Sequence, residues 1–350
     1  MAKSVAFIDS EIGIDDNRIH DIGAVRSDRS EFHGASVQGF CAFIASAEFL
    51  CGHNIVHHDM KYLGPHLGEK TSTPCIDTLY LSPLLFPQRP YHSLLKDDKL
   101  QSDELNNPLN DAKKAEKLFY DEVSAFQRLS SAKKQIFCCL LYPFPEFKGF
   151  FDYVNFVPYR SNVYKLIENE YAGKICENAD VEMLIKSYPI ELAYALALIG
   201  CDDYHSVTPP WLQKNYPHLE NIIKLLCNTP CKDGCEYCRS VLDIHRGLKE
   251  FFGVPSFRTY NGEPLQERAA QAAVDGKSLL AVFPTGGGKS ITFQLPALMA
   301  GKGREYLRNT EVSNYPFFVS ASEAKSSQGV QRYQSTEAAK MFFQGNIPLF

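Results

Sequence analysis

One tryptophan and five methionines stand among 350 residues, and no run of eighteen apolar residues occurs anywhere in the sequence. A bilayer-crossing helix needs about 20 such residues, so no membrane span is expected. The opening MAKSVAFIDSEIG holds one lysine and then an acidic, strand-like run, not the long apolar core of a signal peptide. An excess of basic charge is missing too: 36 Lys and Arg face 41 Asp and Glu, for a formal net charge of −5. The chain as a whole therefore lacks the electrostatic footprint of a nucleic-acid binder. A nuclease, however, concentrates carboxylates at its site and can confine its basic groove locally. No aspartate follows Asp275.

What is present reads as globular. The composition is 45% hydrophobic and 22% charged, and the length allows two domains. Eleven cysteines, an odd number without secretory context, point to a reduced, cytoplasmic chain in which a cysteine cluster is a metal-site candidate.

Residues 4–9, 19–26 and 39–44 read as strands, and 48–63, with HNIVHHDMKYL, as a helix. Residues 111–126 place Ala115, Leu118, Phe119, Val123 and Phe126 at helical spacing. The expectation is an α/β domain over 1–126, a helical connector over 127–226, and a cysteine-rich stretch over 227–240. A helix–loop–strand–loop–helix pattern follows over 241–302, and 303–350 is an atypical Ser- and Gln-rich tail of weak structure.

Asp9 and Glu11 close the first strand. Residues i and i+2 of a strand share a face, so both carboxylates can grip one cation. Alone, a D-x-E pair signals little. Here Asp59 follows within GHNIVHHDMKYL, and Asp111 opens the amphipathic helix of NNPLNDAKKAEKLF. This ordered set, with the IGAV strand between its members, resembles the DEDD exonuclease superfamily over roughly residues 4–126. The resemblance implies a ribonuclease-H-like fold and a 3′→5′ exonuclease acting on DNA ends, single-stranded ends favoured. It also implies that Asp9, Glu11, Asp59 and Asp111 hold two Mg²⁺ or Mn²⁺ ions about 4 Å apart, which serve the attacking and leaving oxygens. The family's histidine branch carries its general base five residues before the last aspartate. Asn106 stands there, and an amide cannot take a proton at neutral pH. His92, in PYHSLLKDD, is the candidate substitute imidazole, against a plain surface role; His57 and His58 flank Asp59 as further options.

Cys227, Cys231, Cys235 and Cys238 fall within twelve residues, with Pro230 and Gly234 to bend the loop. Four thiolates so spaced can close a tetrahedral Zn²⁺ site or hold an iron–sulfur cluster. Reduced cysteines in a tight loop are the plain alternative.

The sharpest signal is SLLAVFPTGGGKSITFQLPAL. A strand runs into Thr285, Gly286, Gly287 and Gly288, and a helix opens on Lys289 and Ser290. Glycine amides and a helix N-terminus favour a triphosphate, Lys289 would reach its outer phosphates, and Ser290 would ligate Mg²⁺. The strict G-x-x-x-x-G-K-[ST] pattern fails, because Phe283 occupies its first position. PTGGGKS followed by FQLPAL resembles instead the RecQ branch of helicases, over about 241–302, a partial P-loop (RecA-like) segment. That resemblance casts Phe257, Arg258 and Gln266 as the adenine-recognition residues, although the gap between Arg258 and Gln266 is longer than the common pattern. It also implies ATP and DNA as partners and DNA repair or recombination as the process. A later Asp-Glu pair, which hydrolysis would need, is absent after Ser290, so a truncated helicase that binds nucleotide weakly without unwinding is expected.

Two function classes stay open. One is an exonuclease joined to a nucleotide-binding helicase segment. The other is a catalytically impaired module that binds 3′ ends.

Overall fold

The computed structural model describes residues 3–13, 15–68, 72–89, 91–92, 94, 107–159, 162–201, 208–277, 279–283 and 286–299, and the backbone of 341–343. Asn106, Thr285 and nearly all of the 303–350 tail lie outside the described residues. The described residues are α/β: a mixed five-stranded sheet and many helices. They divide into two compact units.

The first unit comprises Met1–Glu170, Glu182–Leu198 and Pro209–Pro217. Its strands are β1 (Val5–Ile12), β2 (Ile19–Arg26), β3 (Glu31–His33), β4 (Phe49–Gly52) and β5 (Cys75–Asp77), ordered β3-β2-β1-β4-β5. Pairing is antiparallel across β3, β2 and β1, and parallel from β1 to β4 to β5. Its helices are α1 (Val37–Phe43), α2 (Asp59–Leu63), α3 (Thr78–Leu85), α4 (Pro108–Arg128), α5 (Ser131–Leu141), α6 (Pro145–Tyr153), α7 (Val163–Glu170), α8 (Val181–Ser187), α9 (Pro189–Ile199) and α10 (Pro210–Asn215).

Alternation along β1 loads both faces of the sheet. Ala6 and Ile8 point with Ile22 and Ala24 toward Phe40 and Ile44 at α1, Ile55, and Leu63 of α2. Phe7 points the other way, onto Phe119 and Tyr120 of α4, at ring distances of 5.5 and 5.8 Å. The sheet is thus enclosed by helices on both sides, and the end of β1 is where its polar residues emerge.

Two sequence expectations are corrected. Residues 39–44 lie on α1 and its C-cap, because Ser36 caps Gly39 and the pair Phe40 and Ile44, four apart, forms one buried ridge. Residues 48–63 are not one helix: Phe49–Gly52 is a central parallel strand buried at all four positions, and helix begins only at Asp59. A strand covered on both faces shows no alternation, which hid it. The 127–226 stretch is helical and contributes to both units. Within the first, Tyr194 of α9 is fully buried and donates its hydroxyl to the Tyr80 carbonyl at 2.8 Å.

The second unit comprises Tyr171–Val181, Ile199–Thr208 and His218–Phe350, insofar as these are described. It contains α11 (Leu219–Ile223) running into a π-turn at Lys224–Asn228, then α12 (Glu236–Val241), α13 (Ile244–Phe252), α14 (Leu265–Val274), β6 (Leu279–Ala281), α15 (Lys289–Met299) and β7 (Met341–Phe343), whose backbone pairs antiparallel with β6. Leu265, Ala269 and Ala272 of α14 pack with Leu279, Ala281 and Phe283 into a small core. No described helix is long and apolar enough to cross a membrane.

Candidate functional site

The first set of candidate residues lies on β1 and on the starts of α2 and α4, and its carboxylates are not drawn together as tightly as the cysteines described below. Asp9 and Glu11 are half-buried, and Asp9 pairs across the ladder with Gly23 of β2. That glycine is required by close approach: a Cβ there would lie 2.0 Å from the Leu109 nitrogen and 2.2 Å from the Pro108 carbonyl carbon. The first turn of α4 therefore rests directly on the sheet next to the Asp9–Gly23 pair. Asn107 caps α4 by accepting from Leu109 N and Asn110 N, and Asp111 sits in that same first turn, where the helix dipole favours a carboxylate. Lys114 Nζ lies 3.2 Å from Asp111 Oδ1.

Asp59 opens α2 and is 1% exposed. Ser10 Oγ donates to its Oδ1 at 2.6 Å, while Oδ2, equally buried, has no hydrogen-bond partner. His58 Nδ1 stands 3.8 Å from that oxygen. The His58 ring is pushed up in pKa by the Asp59 carboxylate, with the charge of Glu11 adding weakly in the same direction.

Behind them, Asp77 accepts from the amides of Asn54, Val56 and Leu79 and so fixes the turn that leads to Asp59. Burial raises its pKa to about 7 against the effect of those three amides. The sequence reading missed Asp77; an acid just ahead of an apolar helix (CIDTLYL) is an N-cap signature that could have found it. His53 was also passed over. Its Nδ1 is 3.0 Å from Thr78 Oγ1, its ring meets the His92 backbone, and it lies in the field of Asp111, though burial dominates and holds its pKa at about 4.

His92 is buried, not a surface histidine: it is 5% exposed, with Nδ1 3.0 Å from Ser82 Oγ and Nε2 without a partner. Burial lowers its pKa to about 4. His57 turns outward to Glu146 at 2.8 Å.

In the second unit the glycine-rich turn follows β6. Gly286 and Gly288 adopt φ of +79° and +67°, left-handed values that glycine adopts without strain. Lys289 and Ser290 open α15. The residues singled out upstream close on this turn. Arg258 Nη1 donates to the Gly286 carbonyl at 3.0 Å, and Tyr260 Oη donates to the Gly287 carbonyl. Gln266, 1% exposed, accepts from the Arg258 amide at 2.8 Å and donates to the Gly288 carbonyl at 2.9 Å. Phe257 is buried against His245, at 5.4 Å between rings. Phe283 stands where the strict motif wants glycine because it belongs to the core and packs on Tyr260 at 5.3 Å.

The cysteines regroup. Cys176, Cys231, Cys235 and Cys238 bring all four Sγ atoms within 4.8 Å of one another, and among the described residues this is the set of metal-type ligands drawn so tight. Cys227 is not in it; its thiol donates to the Lys174 carbonyl at 3.4 Å. Cys176, 55 residues ahead of the hairpin, carries no spacing signal, and local motif reading could not have found it.

Comparison with known proteins bears on part of this chain. It is 50% identical over 58 residues to ATP-dependent DNA helicase Q5 of Rattus norvegicus and, equally, of Mus musculus; this covers 16% of the chain and 6% of each relative. It is 44% identical over 52 residues, 15% of the chain, to ATP-dependent helicase SGS1 of Saccharomyces cerevisiae, of which it spans 3%. No family model and no solved structure matches. The chain contains a RecQ-like helicase segment.

Proposed function

We propose that the chain is a metal-dependent 3′→5′ exonuclease acting on DNA ends, coupled to the nucleotide-binding start of a RecQ-like helicase. The observation that supports this reading is the seating of the first turn of α4, which carries Asp111, against Gly23, the ladder partner of Asp9. The strand order β3-β2-β1-β4-β5, with the acids on β1, after β4 and on the helix over β1 and β2, supports a ribonuclease-H-like reading.

The donor set fits hard divalent cations: acceptor-only carboxylates, one with a buried oxygen that lacks a partner. Asp9, Glu11, Asp59 and Asp111 would hold Mg²⁺ or Mn²⁺, which supplies charge stabilisation at the attacking and leaving oxygens of a phosphodiester. Ser10 fixes the Asp59 rotamer, and Asp77 fixes the loop ahead of it. His58, 3.8 Å from Asp59, is the imidazole proposed to accept a proton there, while His92 acts by holding His53 through its backbone.

In the helicase segment, Gly286, Gly287, Gly288, Lys289 and Ser290 serve the phosphates, the role that the resemblance also implies for Thr285. Phe257, Arg258 and Gln266 serve the adenine side, and Gln266 ties the two together. ATP binding is the activity proposed for it.

Digestion of a 5′-labelled single-stranded oligonucleotide with Mn²⁺ tests the reading, with Asp9→Ala as control. A ladder shortening from the 3′ end, lost in the control, is expected. No shortening by folded protein in Mg²⁺ or Mn²⁺ would leave the second reading, a module that binds 3′ ends through the same site.

A further inference from the structure

We infer that Cys176, Cys231, Cys235 and Cys238 hold a single zinc ion, independently of the exonuclease reading. Cys176 Sγ lies 3.8 Å from Cys235 Sγ and 3.6 Å from Cys238 Sγ. These separations are too long for disulfides, and the four thiols are unbridged. They match the edge of a tetrahedron built on Zn–S bonds of about 2.3 Å, which is roughly 3.8 Å. A multi-iron cluster attaches its thiolates to different irons with sulfides between them, which spreads the sulfurs apart. With every Sγ pair inside 4.8 Å, a mononuclear ion fits and a cluster does not.

A second observation is independent of the sulfur spacing. Three backbone amides of the hairpin aim at its sulfurs. Cys235 N donates to Cys231 Sγ at 3.2 Å, Cys231 N to Cys238 Sγ at 3.4 Å, and Cys238 N to Cys235 Sγ at 3.5 Å. Asn178 Nδ2 adds a fourth donor to Cys231 Sγ at 3.4 Å. Donors converging on sulfur orient and stabilise thiolates, the form that binds metal. Gly234, at φ +62°, turns the hairpin so that these amides face inward.

The ion has a structural role, since four protein thiolates leave no open coordination position. It ties the Tyr171–Val181 segment to the hairpin that leads through α12 into α13. That helix in turn packs tightly on α15: a Cβ on its Gly247 would lie 2.7 Å from Met299 Sδ.

The test is metal content of the full chain purified without chelator. One zinc per chain is expected, falling to under a tenth in Cys176→Ser and staying at one in Cys227→Ser. Should Cys176→Ser fail to fold, Co²⁺ titration of the chelator-stripped wild-type chain decides the matter. A four-thiolate, tetrahedral absorption spectrum saturating at one equivalent is expected. Iron with acid-labile sulfide, zinc lost in Cys227→Ser but kept in Cys176→Ser, or folded protein that takes up neither zinc nor Co²⁺ would each overturn the proposal.

Discussion

Glu122 of α4 is fully buried with neither carboxylate oxygen hydrogen-bonded. Burial drives its pKa well above the carboxylate range, so the native state keeps the proton that an unfolded chain would release. A folded pKa above the unfolded one gives a contribution fully present at acid pH and lost as pH rises past the ordinary carboxylate range. Glu122→Gln should therefore melt like the wild type at about pH 4 and be the more stable of the two at pH 8. A variant less stable at pH 8 would show that Glu122 is ionised and paired. Gly23 makes a sharper residue-scale case, since an added methyl would strike the α4 backbone and not a side chain that could swing away. Gly23→Ala should cost about 1–3 kcal/mol and cut oligonucleotide shortening more than tenfold, while nucleotide binding stays unchanged. Full nuclease activity in that variant would separate the α4 seating from function.

At the scale of elements, Asn107 holds the start of α4 through two side-chain-to-amide bonds. Asn107→Ala should lower stability by about 1 kcal/mol and loosen Asp111, read as a rise in the Mn²⁺ concentration needed for half-maximal activity. An unchanged metal requirement would mean that the packing on Gly23 alone positions Asp111. Elements with strong local signals were legible: β1, β2 and α4 announce themselves through alternation and helical periodicity. β4 was not, because a strand buried on both faces looks like any short apolar run. At the sites the same division holds. Gly286–Lys289 and the carboxylates on β1 are local patterns, whereas Cys176 is joined to its partners only by folding. For His92 the sequence leaves a substitute imidazole and a surface residue both open, because nothing in PYHSLL tells of Ser82 beside it.

For the molecule as a whole, the described residues form two compact units, and the proposed function assigns a separate chemistry to each. Lys289→Ala should abolish binding of a fluorescent ATP analogue and leave 3′-end shortening intact. Asp9→Ala should do the reverse. If either variant lost both activities while still folded, the two units would act as one catalytic device, and the assignment of a separate site to each would fail.

The span between Cys176 and Cys238 also has a consequence in time. The two residues are 62 apart in the chain. At a synthesis rate of about 5–20 residues per second, Cys176 is added to the chain on the order of 3–12 s before its last partner. Over that interval the nascent hairpin cannot be closed by any ion. The early thiol must stay reduced, and the π-turn and α11 between the two must form or wait before the knot is tied. On the zinc proposal, only chains made beyond Cys238 can draw on the metal supply.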